Sequence, residues 1–271
     1  MDDTLDSAAS PDSFELLPGA VHSPVILHVP HSSREIPTPV RAGIVLGDAA
    51  LEGELDHITD AHTDELAAAV AEGAGLTPWR FANRLSRLVV DPERFPDDRE
   101  EMLAAGMGAV YTRTTHRAPL RPADTDPGPL VDRYFHPYAQ AMTDAVAGRL
   151  AATGRAVLID IHSYPTARLP YELHGDGPRP AVCLGTDSFH TPPELVTLAE
   201  KAFAGLGGVG IDSPFSGAYV PLRYYEREPA VTALMVEIRR DTYMTEPGGR
   251  LRPGFARLVA ALTMLVDTAG G

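Results

Sequence analysis

The segment AVLIDI, residues 156–161, is apolar at nearly every position, which suits a strand inside a sheet covered on both faces rather than one with a wet side. A strand of that kind needs companions. VILHV at 25–29, SRLVVD at 86–91, AVCLG at 181–185 and TALMVEI at 232–238 are short and apolar, as its partners would be. Between them the apolar residues recur at helical spacing. Residues 48–72 carry Leu51, Leu55, Ile58, His62, Leu66 and Val70, and further helices are expected from about Asp132 to Ala152, over PELVTLAEKAFAGL at 193–206 and over 253–268. This alternation predicts an α/β fold, a three-layer sandwich with a mixed, largely parallel central sheet whose ligands lie outside the carboxyl ends of the strands.

Residues 1–20 are expected to be a flexible acidic arm and 21–271 a single domain, with 92–130, rich in Pro, Asp, Arg and Gly, as one extended surface loop. The chain carries 37 acidic against 23 basic residues, a net charge of −14, with no run of Lys or Arg. That balance argues against nucleic acid and anionic membranes as partners and leaves a small molecule. The acidic N-terminus lacks an apolar core, and no apolar run reaches membrane-spanning length, so a soluble, cytoplasmic protein is expected. Cys183 is the only cysteine, so no intrachain disulfide can form. Oligomeric state is not legible.

Several ionisable residues sit where an apolar strand stops: His31 after VILHVP, Asp91 after SRLVV, Asp160 and His162 within LIDIHSY, and Glu237 at the end of TALMVEI. Burying any of them unpaired costs several kcal/mol, so they should meet one another, a metal or a ligand at a common sheet end. His31 and His162 read either as loop-capping histidines or as ligands of one zinc ion. A carboxylate would complete a hydrolytic zinc site. Asp56, Asp60 and Asp64 follow one another along a helix face that could equally be solvated; Asp60 is the first choice and Asp64 the second. Asp160 could orient His162 or brace a neighbouring loop.

Glu237 could serve as general base, or could be spent in an ion pair with Arg239 or Arg240. Among the arginines, Arg84, Arg87, Arg94, Arg113 and Arg223 could hold substrate carboxylates or an oxyanion; Arg87 and Arg94 bracket Asp91 and come first, then Arg113. No GxSxG elbow occurs, Cys183 has no adjacent base, and GLGGVG at 205–210 reads as a helix cap and turn.

HVPHSSREIP at 28–37, SRLVVDPERFPDD at 86–98, LIDIHSYP at 158–165, PFSGAYVPLRYY at 214–225 and ALMVEIRRDTYM at 233–244 together resemble the N-formylglutamate amidohydrolase family. The resemblance implies a zinc-exopeptidase-like fold, hydrolysis of N-formyl-L-glutamate to formate and glutamate, and a role in histidine degradation. It also implies metal ligands at His31, Asp60 and His162, a general base at Glu237, and substrate arginines at Arg87 and Arg94. Two departures stand out. Glu93-Arg94 replaces the family's usual Asn-Arg, and Asp60-Ala61-His62 replaces its Asp-Trp-His.

Overall fold

The computed structural model describes residues 13–174 and 176–271. Its strands are β1 (Phe14–Leu17), β2 (Val25–Val29), β3 (Trp79–Asn83), β4 (Ala156–Tyr164), β5 (Val182–Gly185), β6 (Val209–Ile211) and β7 (Val231–Arg239). The α-helices are α1 (Thr38–Arg41), α2 (Asp48–Ile58), α3 (Thr63–Gly73), α4 (Gly128–Leu130), α5 (His136–Thr153), α6 (Pro193–Phe203) and α7 (Gly254–Gly270). One seven-stranded sheet runs in the order β1-β3-β2-β4-β7-β5-β6. β3, β2, β4 and β7 are mutually parallel, β1 is antiparallel to β3, β5 is antiparallel to β7, and β6 is parallel to β5. The sheet is therefore mixed and largely parallel, as the alternating pattern predicts. Among the described residues no helix is long and apolar enough to cross a membrane.

Alternate side chains on a strand face opposite layers. Val25, Leu27, Val157, Ile159 and Val236 share a core with Leu66 and Val70 of α3 and Leu262 and Leu265 of α7. Ile26, Leu158, Val231 and Ala233 share the other core with Tyr138 and Met142 of α5. Extending this second set by strand parity toward the carboxyl ends brings His28, Asp160, His162 and Glu237 onto the α5 face. Register pairs His28 with Asp160 and His162 with Glu237. The sheet thus changes from apolar to ionisable along a single face, at the end where β2, β4 and β7 lie side by side.

Five details differ from the sequence reading. The helix expected over 48–72 is two helices, broken at 59–62, with His62 in the left-handed region at φ 67°. Each half is amphipathic for a different core: Leu51, Leu55 and Ile58 pack with Leu88, Met107 and Tyr111, while Leu66 and Val70 join the main sheet. SRLVVD is a buried turn rather than a strand. The Val89 N–H donates to the Ser86 carbonyl at 2.8 Å, and Leu88 and Val89 enter separate clusters, so its apolar character reflects burial on several sides. The loop over 92–130 is not wholly superficial, since Met102, Met107, Tyr111 and Leu120 are buried. Residues 1–12 of the expected arm lie outside the described residues; Phe14–Leu17, within its remainder, pairs with β3, and Phe14 stacks on Phe81 at 5.4 Å. Strands β3 and β6 have no counterpart in the sequence reading; β6 begins inside the segment taken as a turn.

Candidate active site

His31 lies just past β2, His162 is on the adjacent β4, and Asp60 sits in the break between α2 and α3, where its N–H donates to the His31 carbonyl at 3.0 Å. Their side chains converge. Nδ1 of His31 is 3.3 Å from Nδ1 of His162, and Oδ2 of Asp60 is 3.2 Å from the second and 3.6 Å from the first. Metal bonds of about 2.0–2.1 Å in a tetrahedral site put neighbouring ligand atoms about 3.3–3.4 Å apart, so these atoms are spaced like three corners of such a site. The outer nitrogens meet carboxylates too: Nε2 of His31 is 2.9 Å from Asp91 Oδ1, and Nε2 of His162 is 3.3 Å from Glu93 Oε1. Carboxylates in that position orient metal-binding imidazoles. Glu93 also reaches His31 Nε2 at 3.5 Å, so His31, Glu93 and His162 form a second triad with ligand atoms within 4.8 Å of one another.

The electrostatics favour positive charge at this point. Burial works against the Asp60 carboxylate, yet hydrogen bonds from His162 and His31 hold its pKa far below the usual range. Burial likewise opposes Glu93, but the charges of His162 and His31 bring it down to about 2. In the other direction, burial would depress His162, and Glu93 and Asp60 instead raise it well above an ordinary imidazole. A cluster that draws a proton onto a buried histidine in this way also attracts a metal cation.

Asp160 does not touch His162. It accepts from the Tyr219 N–H at 2.7 Å and lies 2.7 Å from His28 Nδ1, so it braces the loop after β6 and a histidine that sequence reasoning left aside. Asp56 pairs with Arg34 at 2.7 Å and Asp64 lies 3.8 Å from Arg80; of the helical acids, Asp60 reaches the histidines. The break at His62 separates them.

Neither neighbouring arginine is spent on Glu237. Arg239 bonds Asp241 at 2.7 Å, while Arg240 is buried against Asp60 Oδ1 at 3.2 Å, Ser163 Oγ at 3.1 Å and the His57 carbonyl at 2.7 Å. Glu237 is 9% exposed and its Oε2 has no hydrogen-bond partner. Burial pushes its pKa up to about 7, against the lowering influence of His162. A buried acceptor left open in this way is costly unless something comes to meet it.

Glu237, His31, His162, Glu93, Arg87 and Arg94 all line one cavity of about 710 Å³. Arg87 is anchored to Asp91 Oδ2 at 2.7 Å and to the Tyr111 hydroxyl at 3.0 Å. Arg94 lies 3.4 Å from the same carboxylate, and its buried Nε makes no hydrogen bond. Asp91 is held well below the carboxylate range despite burial, chiefly by Arg87 and then by His31.

Residues 23–244 match the sequence model of N-formylglutamate amidohydrolase. The chain belongs to the N-formylglutamate amidohydrolase family. Among solved structures, one of an N-formylglutamate amidohydrolase from Ralstonia eutropha superposes with a TM-score of 0.78 at 24% identity, covering 96% of this chain and 97% of that one. A gene product from Agrobacterium tumefaciens superposes with a TM-score of 0.69 at 19% identity, over 95% and 94%. Both share the fold. No curated protein sequence matches the chain.

Within this amidohydrolase, His31, His162, Asp60, Glu237, Arg87 and Arg94 come together, and Arg223 lines the outer cavity. Arg113 does not join them. It is exposed, donates to the Arg117 carbonyl at 3.0 Å and lies off the cavity lining, because the loop carrying it turns back on itself through the Arg113–Pro119 bridge. Arg84 pairs with Glu15 at 2.8 Å, away from the cluster. Glu93 stands in the site without a role assigned from sequence, and Arg240, offered there only as an ion-pair partner for Glu237, pairs with Asp60 instead; each adjoins a residue singled out from the sequence.

Proposed function

We propose that the chain is a zinc-dependent hydrolase of the N-formyl or a related N-acyl amide bond of a small acidic amino acid, with N-formyl-L-glutamate as reference substrate. The observation that carries this reading is the open Oε2 of Glu237, buried on the strand position paired in register with His162, with its pKa near the operating range of a general base. His31, His162 and Asp60 would hold one zinc ion; two imidazoles and a carboxylate are a hydrolytic donor set. When bound, zinc polarises a carbonyl and lowers the pKa of water toward ~7.

The chain's own residues account for the remaining steps. Glu237 takes a proton from the attacking water as oxygen bonds to the acyl carbon, then delivers it to the nitrogen as the C–N bond breaks. The products are a carboxylate and an amine. Arg94 and Arg87, both lining the cavity, bind the amino acid's carboxylate, and the more exposed Arg223 meets a second carboxylate toward the mouth. Asp91 keeps both inner arginines in place.

The test supplies N-formyl-L-glutamate to purified protein and measures formate release with zinc content, before and after chelation. Release that tracks one bound zinc supports the reading. Stoichiometric zinc without release rejects the substrate, and release that survives complete metal removal rejects the metal role.

A further inference from the structure

The cavity continues past the ionisable cluster. His136, Ala139, Gln140 and Thr143 line it at i, i+3, i+4 and i+7 of α5, a spacing that gives one helix face about 10 Å long. A further stretch of wall comes from the loop before β7, where Phe215, Tyr219 and Tyr225 line the same space, and Phe95 meets Tyr225 edge-on at 5.8 Å. This arm is joined to the cluster through Tyr219, whose ring lies 4.7 Å from His28, itself 3.6 Å from Glu93. Its wall is firmly placed, since the Tyr219 N–H is bonded to Asp160 at 2.7 Å.

A formyl group is one carbon and one oxygen, and cannot reach along such a wall. Pockets of about 300–1,000 Å³ lined by aromatic side chains with a few polar groups suit drug-sized ligands. With Arg87 and Arg94 assigned to one carboxylate beside Asp91 and Arg223 to the second at the mouth, the rings of Phe95, Tyr219 and Tyr225 are the part of the wall left to the acyl end. We propose that this site takes amino acids whose N-acyl group carries an aromatic ring, seated between the α5 face and Phe95, Tyr219 and Tyr225. The inference rests on the deacylase reading above and names its acyl specificity.

The experiment compares N-acetyl-, N-phenylacetyl- and N-formyl-L-glutamate with zinc-loaded protein, reading glutamate release. Acetyl and phenylacetyl amides have similar electrophilicity, so their difference reports the arm. One methylene in an apolar pocket changes discrimination by about 10–200-fold; the expected result is a kcat/KM at least about tenfold higher for phenylacetyl, carried mainly by KM. Ala139→Phe, which fills the arm, should shrink that ratio toward one. Equal or poorer use of the phenylacetyl compound, or a gain seen only when the ring is attached through a glutamyl carboxyl amide, overturns the inference while deacylation stands. No glutamate from any of the three overturns the deacylase reading with it.

Discussion

Replacing Arg240 by Met tests how the site is held. Its guanidinium is 3% exposed and serves Asp60 Oδ1, Ser163 Oγ and the His57 carbonyl, tying β7 to β4 and to the end of α2. Met retains much of the apolar volume but supplies none of the hydrogen bonds. Breaking one side of a buried ion pair costs about 3–5 kcal/mol, a large share of the roughly 5–15 kcal/mol that holds a domain together. The two histidines still facing Asp60 put the expected loss toward the lower end. Urea unfolding of metal-free protein measures it without the stability that a bound ion would add. Because Arg240 orients a proposed metal-binding carboxylate, zinc affinity should also fall by about 10–100-fold. A loss below about 1 kcal/mol together with unchanged zinc affinity would refute the claim that Arg240 fixes Asp60.

Asp60→Asn should abolish stoichiometric zinc binding, whereas Glu93→Gln should retain it with affinity weakened by about 10–100-fold; the reverse order in a competition titration would make Glu93 the third donor. Arg113→Ala should leave kcat/KM within about twofold and stability within about 0.5 kcal/mol, as befits an exposed side chain, and a larger loss of kcat/KM would return Arg113 to the site. Glu54 is buried, and burial raises its pKa despite bonds from the Thr115 N–H at 2.7 Å and hydroxyl at 2.8 Å. The folded state therefore holds this proton to higher pH than the unfolded one, so its contribution is intact at low pH and is lost as pH rises through the folded pKa. Glu54→Gln should accordingly gain stability relative to the parent as pH rises above the ordinary carboxylate value of 4.5, read from urea midpoints, and a difference that stays constant or moves the other way would contradict the assignment.

The features legible in the sequence are those written into single strands. The apolar run around Ile159 announces a doubly covered strand, and His31, His162 and Glu237 announce a site because each interrupts or follows such a run. What escapes the sequence depends on where the chain turns. Leu51 through Val70 fits one helical stripe, and only the existence of two cores explains why the chain breaks at His62 and swings Asp60 onto the histidines. SRLVVD has a strand's composition because two clusters of packing meet around it. Charge partners escape for a related reason: Arg240 is adjacent in sequence to the β7 end that carries Glu237, yet the turn after β7 directs it across to Asp60, and that redirection leaves Glu237 free.

Glu237→Gln provides the most direct measurement of the central claim, that an open buried carboxylate acts beside a metal held by other residues. The variant should keep one zinc per chain while its kcat on N-formyl-L-glutamate, or on whichever N-acyl amino acid the parent turns over fastest, falls by about 10²–10⁴-fold. Zinc content and kcat both unchanged would contradict that claim, as would zinc lost in parallel with activity, which would make Glu237 a ligand.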